Sequence, residues 1–209
     1  METLAVANDT HILAPHSEGI TVDELIALKK KYTHVILNGD IIDMTNCRKK
    51  LVGHGENLIN ILKQRFGDDY VLGNHEAMDI GKGYTVKEIN GKKVLFLHGP
   101  GLFAKGEYWP VYYEIDSTLK WEKKKRGRGR SSYWKYKMYR SFSKHKGGNK
   151  RPKDKVIKRL FTVMEVMGCE VVVFGHTHRT FDRWIADPIG SIKMKRIINT
   201  GKGITEVTI

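Results

Sequence analysis

Val35-Ile36-Leu37-Asn38-Gly39-Asp40-Ile41-Ile42-Asp43 opens with three aliphatic residues and then breaks into polar groups around a glycine. A short β-branched and Leu-rich run that ends this way reads as a buried strand delivering polar side chains to a sheet edge. The same grammar recurs along the chain. Leu4–Ala7 leads into Asp9-Thr10-His11, Tyr70–Leu72 into Gly73-Asn74-His75-Glu76, and Val94–Leu97 into His98-Gly99. Val171–Phe174 leads into Gly175-His176-Thr177-His178, and Ile197-Ile198 into Asn199-Thr200-Gly201. The expectation is that these polar groups converge on one rim of one sheet. Taken singly, a histidine at a strand end is a solvated surface residue, and His16, His34, His54 and His145 read that way. Taken jointly, five of the nine histidines fall in the motifs. Two carboxylates, one amide and five imidazoles without thiolate suit manganese, iron, zinc, cobalt or nickel better than a structural thiolate zinc.

Between the motifs, strand and helix patterns alternate. Thr21 and Glu24 form a capping box that opens a helix expected to run to about Tyr32, with Leu25, Ile26 and Leu28 on its buried face. A second helix is expected over roughly residues 54–66, from the spacing of Leu58, Ile59, Leu62 and Phe66. Residues 84–97 read as a hairpin with Asn90-Gly91 as a type I′ turn. A third helix spans about 154–168, with Val156, Ile157, Leu160, Val163, Met164 and Met167 as its apolar stripe. Strands around 180–186 and 191–198 are expected to pair across Asp187-Pro188-Ile189-Gly190. The whole is expected to be an α/β sandwich of mixed sheets with helices outside.

Composition agrees with one large domain. The chain has 209 residues, 40% of them hydrophobic, and no apolar run long enough to cross a bilayer. It enters its first strand directly after Met1-Glu2-Thr3, without a basic leader, and its two cysteines, Cys47 and Cys169, are far apart. An intracellular, cytoplasmic protein with reduced thiols is the expectation.

Charge is concentrated. From Lys120 to Arg159 there are eighteen basic residues against two acids, a net +16, whereas the whole chain is +14 and the remainder therefore sums to −2. Trp121, Tyr133, Trp134, Tyr136, Tyr139 and Phe142 lie in the same window. Cations interleaved with aromatics suit a nucleic-acid backbone with stacked bases, DNA or RNA. Lys124, Lys125, Arg126, Arg128, Arg130, Trp134 and Tyr136 are the residues expected to meet substrate. Two other readings stay open. The segment could recruit a smaller anion or acidic lipid head groups, or be a solvated insertion whose aromatics pack on the core.

In order and spacing, the blocks resemble the signature of the calcineurin-like metallophosphoesterase superfamily: D-x-H, G-D-x-x-D, G-N-H-[DE], a lone H and G-H-x-H. The resemblance runs from Asp9 to His178 and leaves the region around 105–155 as an insertion in a single domain spanning 1–209. It implies a four-layer sandwich of mixed β-sheets flanked by helices, with a dimetal site at the C-terminal rim of the strands. It implies one ion held by Asp9, His11, Asp40 and His178 and a second held by Asp40, Asn74, His98 and His176, Asp40 bridging. The ions would be divalent transition metals, manganese first. A metal-bound hydroxide would be the nucleophile, with His75 as proton donor or electrostatic stabiliser. Asp43 stays outside the ligand set, either orienting His11 from behind or capping the next segment. The basic insertion lies between His98 and His176 in sequence and is expected to overhang the site.

The subfamily is not fixed by these blocks. The third block looks like that of phosphoprotein phosphatases, but Met44-Thr45 follows Asp43 where those enzymes carry Arg-Gly. The bacterial UDP-2,3-diacylglucosamine pyrophosphatases have a similar insertion, yet normally carry Arg at the position of His75. The expected activity is hydrolysis of phosphodiester bonds in nucleic acid or nucleotides. The alternatives are a phosphomonoesterase or pyrophosphatase acting on a small anionic metabolite or nucleotide-sugar lipid, and a non-catalytic binding module.

Overall fold

Each aliphatic run ahead of a motif forms a strand in the computed structural model, which describes residues 2–15, 17, 19–76, 83–99, 154–186 and 194–209. The strands are β1 (Leu4–Asn8), β2 (His34–Asn38), β3 (Tyr70–Val71), β4 (Tyr84–Ile89), β5 (Lys92–Leu97), β6 (Val171–Phe174), β7 (Thr180–Ala186), β8 (Met194–Thr200) and β9 (Gly203–Val207). They form two sheets, ordered β3-β2-β1-β9 and β4-β5-β6-β8-β7. This corrects one expectation: the motif strands divide between two sheets instead of sharing one. Their residues are apolar on both faces, because each sheet is covered on both sides, and such runs do not announce their partners. In the first sheet β1, β2 and β3 are mutually parallel; in the second β5, β6 and β8 are. All six therefore end in a motif on the same side of their sheet.

Three apolar layers hold this arrangement. Val6, Ile36 and Val71 of the first sheet face Val94, Phe96, Val173 and Ile198 of the second. Helices α1 (Val22–Leu28) and α2 (Val52–Phe66) place Leu25, Ile59, Leu62 and Phe66 on the outer face of the first sheet, against Ala7, Val35 and Leu37. Helix α3 (Asp154–Val166) places Val156, Ile157, Leu160, Phe161 and Met164 on the outer face of the second, against Leu95, Val172, Phe174 and Ile197. The order helix, sheet, sheet, helix is the four-layer sandwich expected from the sequence.

Local details follow the sequence with small shifts. The Thr21–Glu24 capping box is present, but α1 stops at Leu28. Lys30 N–H and Lys31 N–H donate to Ala27 O and Leu28 O three residues back, so the chain tightens before Tyr32. Helix α2 starts two residues early, after a 3₁₀ turn at Lys49–Leu51, and α3 ends two residues early. Asn90 and Gly91 have φ of 49° and 75°, both positive as a type I′ turn requires. Strands β7 and β8 pair antiparallel as expected, β8 starting at Met194. Both cysteines are free thiols. Among the described residues no helix is long and apolar enough to cross a membrane. Residues 100–153, which hold all but the last two positions of the insertion at about 105–155, lie outside the described residues, and so do Lys124, Lys125, Arg126, Arg128, Arg130, Trp134 and Tyr136.

Candidate metal centre

Immediately beyond the strand ends the backbone turns sharply. Asp9, His11, Asp40, His176 and His178 have φ of 51°, 50°, 52°, 66° and 56°, in the left-handed region. Each such residue is disfavoured by about 1–3 kcal/mol, and clusters of them mark functional sites. These five belong to the seven residues that the resemblance nominates as ligands. The sharp turns aim consecutive side chains into one space.

Three overlapping groups result. Ligand atoms of Asp9, His11 and His178 lie within 4.8 Å of one another, as do those of Asp40, His98 and His176, and those of His11, Asp40 and His75. His178 Nε2 is 3.0 Å from Asp9 Oδ1, and His98 Nε2 is 3.0 Å from Asp40 Oδ2. Asp40 is thus grouped with residues from both of the expected ion positions. His75 Nε2 stands 3.8 Å from Asp40 Oδ2 at the same place. Asn74 Oδ1 is buried and accepts no hydrogen bond, and buried Asp9 Oδ1 faces the Nε2 atoms of His11, His98 and His178 without a well-aligned hydrogen bond from any of them. A buried acceptor left without a donor costs about 1–3 kcal/mol, which a cation would offset. Oxygen and imidazole donors with buried, unsatisfied oxygens fit divalent transition ions.

The charges in this space hold one another. Burial works against an ionised Asp40, but the imidazoles of His98 and His75 keep its carboxyl well below the usual carboxylate range. Burial works against a charged His98 too, yet Asp40 and Asp9 outweigh it and push that imidazole up to about 10. His176 is pushed down to about 4, first by burial and then by the neighbouring His98. For His75, burial is outweighed by Asp40 and Asp43, and its affinity for a proton rises.

Behind the rim, Asp43 serves two imidazoles and a turn. Its Oδ2 lies 3.2 Å from His11 Nδ1 and its Oδ1 3.1 Å from His75 Nδ1. Oδ1 also accepts from Thr45 N–H at 3.0 Å and Asn46 N–H at 2.7 Å, so both roles expected for Asp43 are present together. Sequence reasoning gave Glu76 no role. It is buried, and its carboxylate accepts from Asp40 N–H at 3.1 Å, Ile41 N–H at 2.6 Å, Gly73 N–H at 2.5 Å and Tyr70 Oη–H at 2.9 Å. One side chain therefore ties the loop after β2 to the loop after β3. The sequence signal was an acid placed three residues after Gly73, too short a pattern to reveal its partners. Asn199, the penultimate residue of β8, does similar work for the loop after β6, donating from Nδ2 to Gly175 O at 3.2 Å and Thr177 Oγ1 at 2.8 Å.

No family model matches the chain, and no curated protein does. Solved structures are similar at low identity. A conserved uncharacterized protein from Streptococcus pneumoniae, described as a predicted phosphoesterase, is 12% identical with a TM-score of 0.47, covering 96% of this chain and 72% of that one. Vps29 from Chaetomium thermophilum is 13% identical with a TM-score of 0.48, covering 97% and 73%. A Thermotoga maritima protein solved in solution is 15% identical with a TM-score of 0.46, covering 100% and 92%. At these values the functional reading rests on the chain's own residues. Those residues, with four layers and five motif blocks brought together, show the arrangement that the sequence resemblance implies.

Proposed function

We propose that the chain is a two-metal phosphoesterase of the calcineurin-like metallophosphoesterase family, residues 1–209 forming one domain with a basic insertion at about 105–155. The observation that carries this reading is the meeting of Asp9, His11, Asp40, His98, His176 and His178 in overlapping groups with ligand atoms within 4.8 Å. One ion would be held by Asp9, His11, Asp40 and His178, and the other by Asp40, Asn74, His98 and His176. Manganese is the first candidate, with iron, zinc, cobalt and nickel as alternatives. Bound there, the ions would supply neutralising charge to phosphoryl oxygens and a Lewis acid to acidify the attacking water.

The protein's own part is to hold a proton in the right place. Thr45 Oγ1 lies 2.6 Å from His75 Nδ1 and donates its own proton to Asp43 Oδ1 at 2.9 Å, so it accepts from Nδ1–H. That leaves Nε2 facing the site, where a charged His75 would pass its proton to the departing oxygen. Asp40 Oδ1 accepts from His75 N–H at 2.7 Å, which ties the acid to the bridging carboxylate. The substrate we favour is a phosphodiester of nucleic acid or a nucleotide, met by Lys124, Lys125, Arg126, Arg128, Arg130, Trp134 and Tyr136. Support for that part comes from the +16 window in the sequence.

A manganese-supplemented panel tests the reading. Bis-p-nitrophenyl phosphate should be cleaved faster than p-nitrophenyl phosphate, activity should vanish in EDTA, and manganese should restore it. Full activity in EDTA from a protein shown to be metal-free by elemental analysis overturns the proposal. A preference for the monoester transfers it to a small phosphorylated metabolite.

A further inference from the structure

Three strand ends drawn from both sheets meet at His98, and an asparagine stands between them. Asn8 is the last residue of β1 and is fully buried. Its Nδ2 donates to Gly201 O at 2.8 Å, beyond the end of β8, which settles which way the amide faces. Its Oδ1 is then 3.2 Å from His98 Nδ1. Asn38, the last residue of β2, presents its carbonyl oxygen to the same nitrogen at 2.9 Å. Its amide Nδ2 donates to Leu97 O at 3.2 Å, next to His98 itself. Both acceptors for Nδ1 therefore come from the first sheet, while His98 follows β5 in the second.

The packing leaves this contact no slack. A Cβ on Gly175 would lie 1.9 Å from Asn8 Nδ2 and 2.2 Å from Asn8 Oδ1. A Cβ on Gly39 would lie 2.6 Å from both Cβ and Cγ of His98. The glycines that open the second and fifth motif blocks thus make room for His98 and for Asn8. With two acceptors on Nδ1, the proton of a neutral His98 stays on Nδ1. The lone pair is then on Nε2, the atom 3.0 Å from Asp40 Oδ2 and 3.8 Å from Asp9 Oδ1.

We propose that Asn8 is a positioning residue for His98: from the opposite sheet, its Oδ1 holds the imidazole with Nε2 turned into the ion site, so the half-site of Asp40, Asn74, His98 and His176 is complete only when the two sheets are docked. The inference rests on the two-ion reading above. An architectural role alone would work through the other end of the amide, the Nδ2 bond to Gly201 O. The two ends can be separated. Asn8→Asp keeps an acceptor for His98 Nδ1 and removes the donor to Gly201 O. Asn8→Ala removes both.

Calorimetric titration of the metal-free protein with manganese, paired with urea denaturation in EDTA, reads the two ends independently. Wild type should take up two ions. Asn8→Ala should bind one of them about 10–100-fold more weakly, the range typical when the partner behind a metal-binding histidine is lost, with the other ion unaffected. Asn8→Asp should bind both ions close to wild-type strength despite a lower urea midpoint. In the zinc-loaded protein, ¹⁵N spectra should show His98 protonated at Nδ1 in all three proteins, with the Nδ1–H resonance of Asn8→Ala shifted from its position in wild type and Asn8→Asp, because Asn38 O is then its only remaining acceptor of the two. Should Asn8→Ala fail to fold, Asn8→Ser takes its place, since a serine hydroxyl stops short of the ring. Two ions bound at wild-type strength by Asn8→Ala overturn the inference and leave the phosphoesterase reading standing. Equal weakening in Asn8→Asp and Asn8→Ala also overturns it, in favour of the Gly201 stitch. A wild-type protein that binds no divalent ion overturns both.

Discussion

Asp40 links residues of both expected ion positions, because its two oxygens face different partners. Oδ1 accepts from His75 N–H, and Oδ2 faces His98 Nε2 and His75 Nε2. Asp40→Asn keeps the shape but not the charge, so reconstituted protein should lose both ions, as counted by elemental analysis. His75→Ala should keep both ions and lose about 10²–10⁴-fold in kcat, with a smaller loss on p-nitrophenyl esters, whose leaving group needs little protonation. Equal losses on good and poor leaving groups would remove the acid role. The histidines also set a pH dependence in the metal-free protein. His176 is held near 4, below its ordinary ~6.5, so the unfolded chain binds that proton first. Its contribution is present above about 6.5 and is lost as pH falls toward about 4. His98 is held near 10, so its contribution is present below about 6.5 and is lost as pH rises toward about 10. Asp40 and Asp43, both depressed, add losses only below the ordinary carboxylate range. Urea midpoints measured in EDTA from pH 4 to 10 should therefore peak near ~6.5. A midpoint rising steadily to pH 10 would contradict the His98–Asp40 pairing.

At the level of elements, the sequence made the strands legible and left their grouping hidden. Val35–Leu37 and Val171–Phe174 both end in glycine and a polar ligand type, yet they lie in different sheets. A run buried on both faces carries no sign of which face meets which neighbour. The Asn90-Gly91 turn and the Thr21–Glu24 box were legible because one or two residues decide each of them. The left-handed conformation at Asp9, His11, Asp40, His176 and His178 was not, since none of these is glycine and the strain is imposed by the packing around them. Glu76 was missed for a related reason: its donors come from two loops, at Asp40–Ile41 and Gly73, with Tyr70 at the end of the set. Tyr70→Phe deletes one donor to this buried carboxylate and changes little else. It should cost about 1.5–3 kcal/mol, the worth of a hydrogen bond to a charged group, read as a lower urea midpoint. It should also weaken manganese binding, because Glu76 holds the Asp40 backbone. An unchanged midpoint would mean that the Tyr70 hydroxyl adds nothing to the backbone donors that already hold Glu76.

Across the whole molecule, sheet docking and charge do separate work. The layer of Val6, Ile36 and Val71 against Val94, Phe96, Val173 and Ile198 brings the two rims together and carries no charge. Net charge lies elsewhere: residues 120–159 carry +16 of a chain total of +14. A segment of this kind binding a nucleic-acid backbone releases condensed counterions, so affinity should fall with a log–log salt slope near −0.7 per neutralised phosphate on single strands. Neutralising Lys123, Lys124, Lys125, Arg126, Arg128 and Arg130 together should raise KM on nucleic acid and flatten that slope. Turnover of p-nitrophenyl esters should hold, because none of the six is among the proposed ligands. Trp134→Ala and Tyr136→Ala should each weaken single-strand binding by about 1–3 kcal/mol if a base stacks there. If the aromatics pack on the core instead, the same changes lower the melting temperature and leave no salt-dependent binding to lose. A wild-type protein that binds neither DNA nor RNA at low salt ends the nucleic-acid reading. The same metal centre would then act on a small phosphorylated metabolite, with the basic segment drawing in an anion too short to show a steep salt slope.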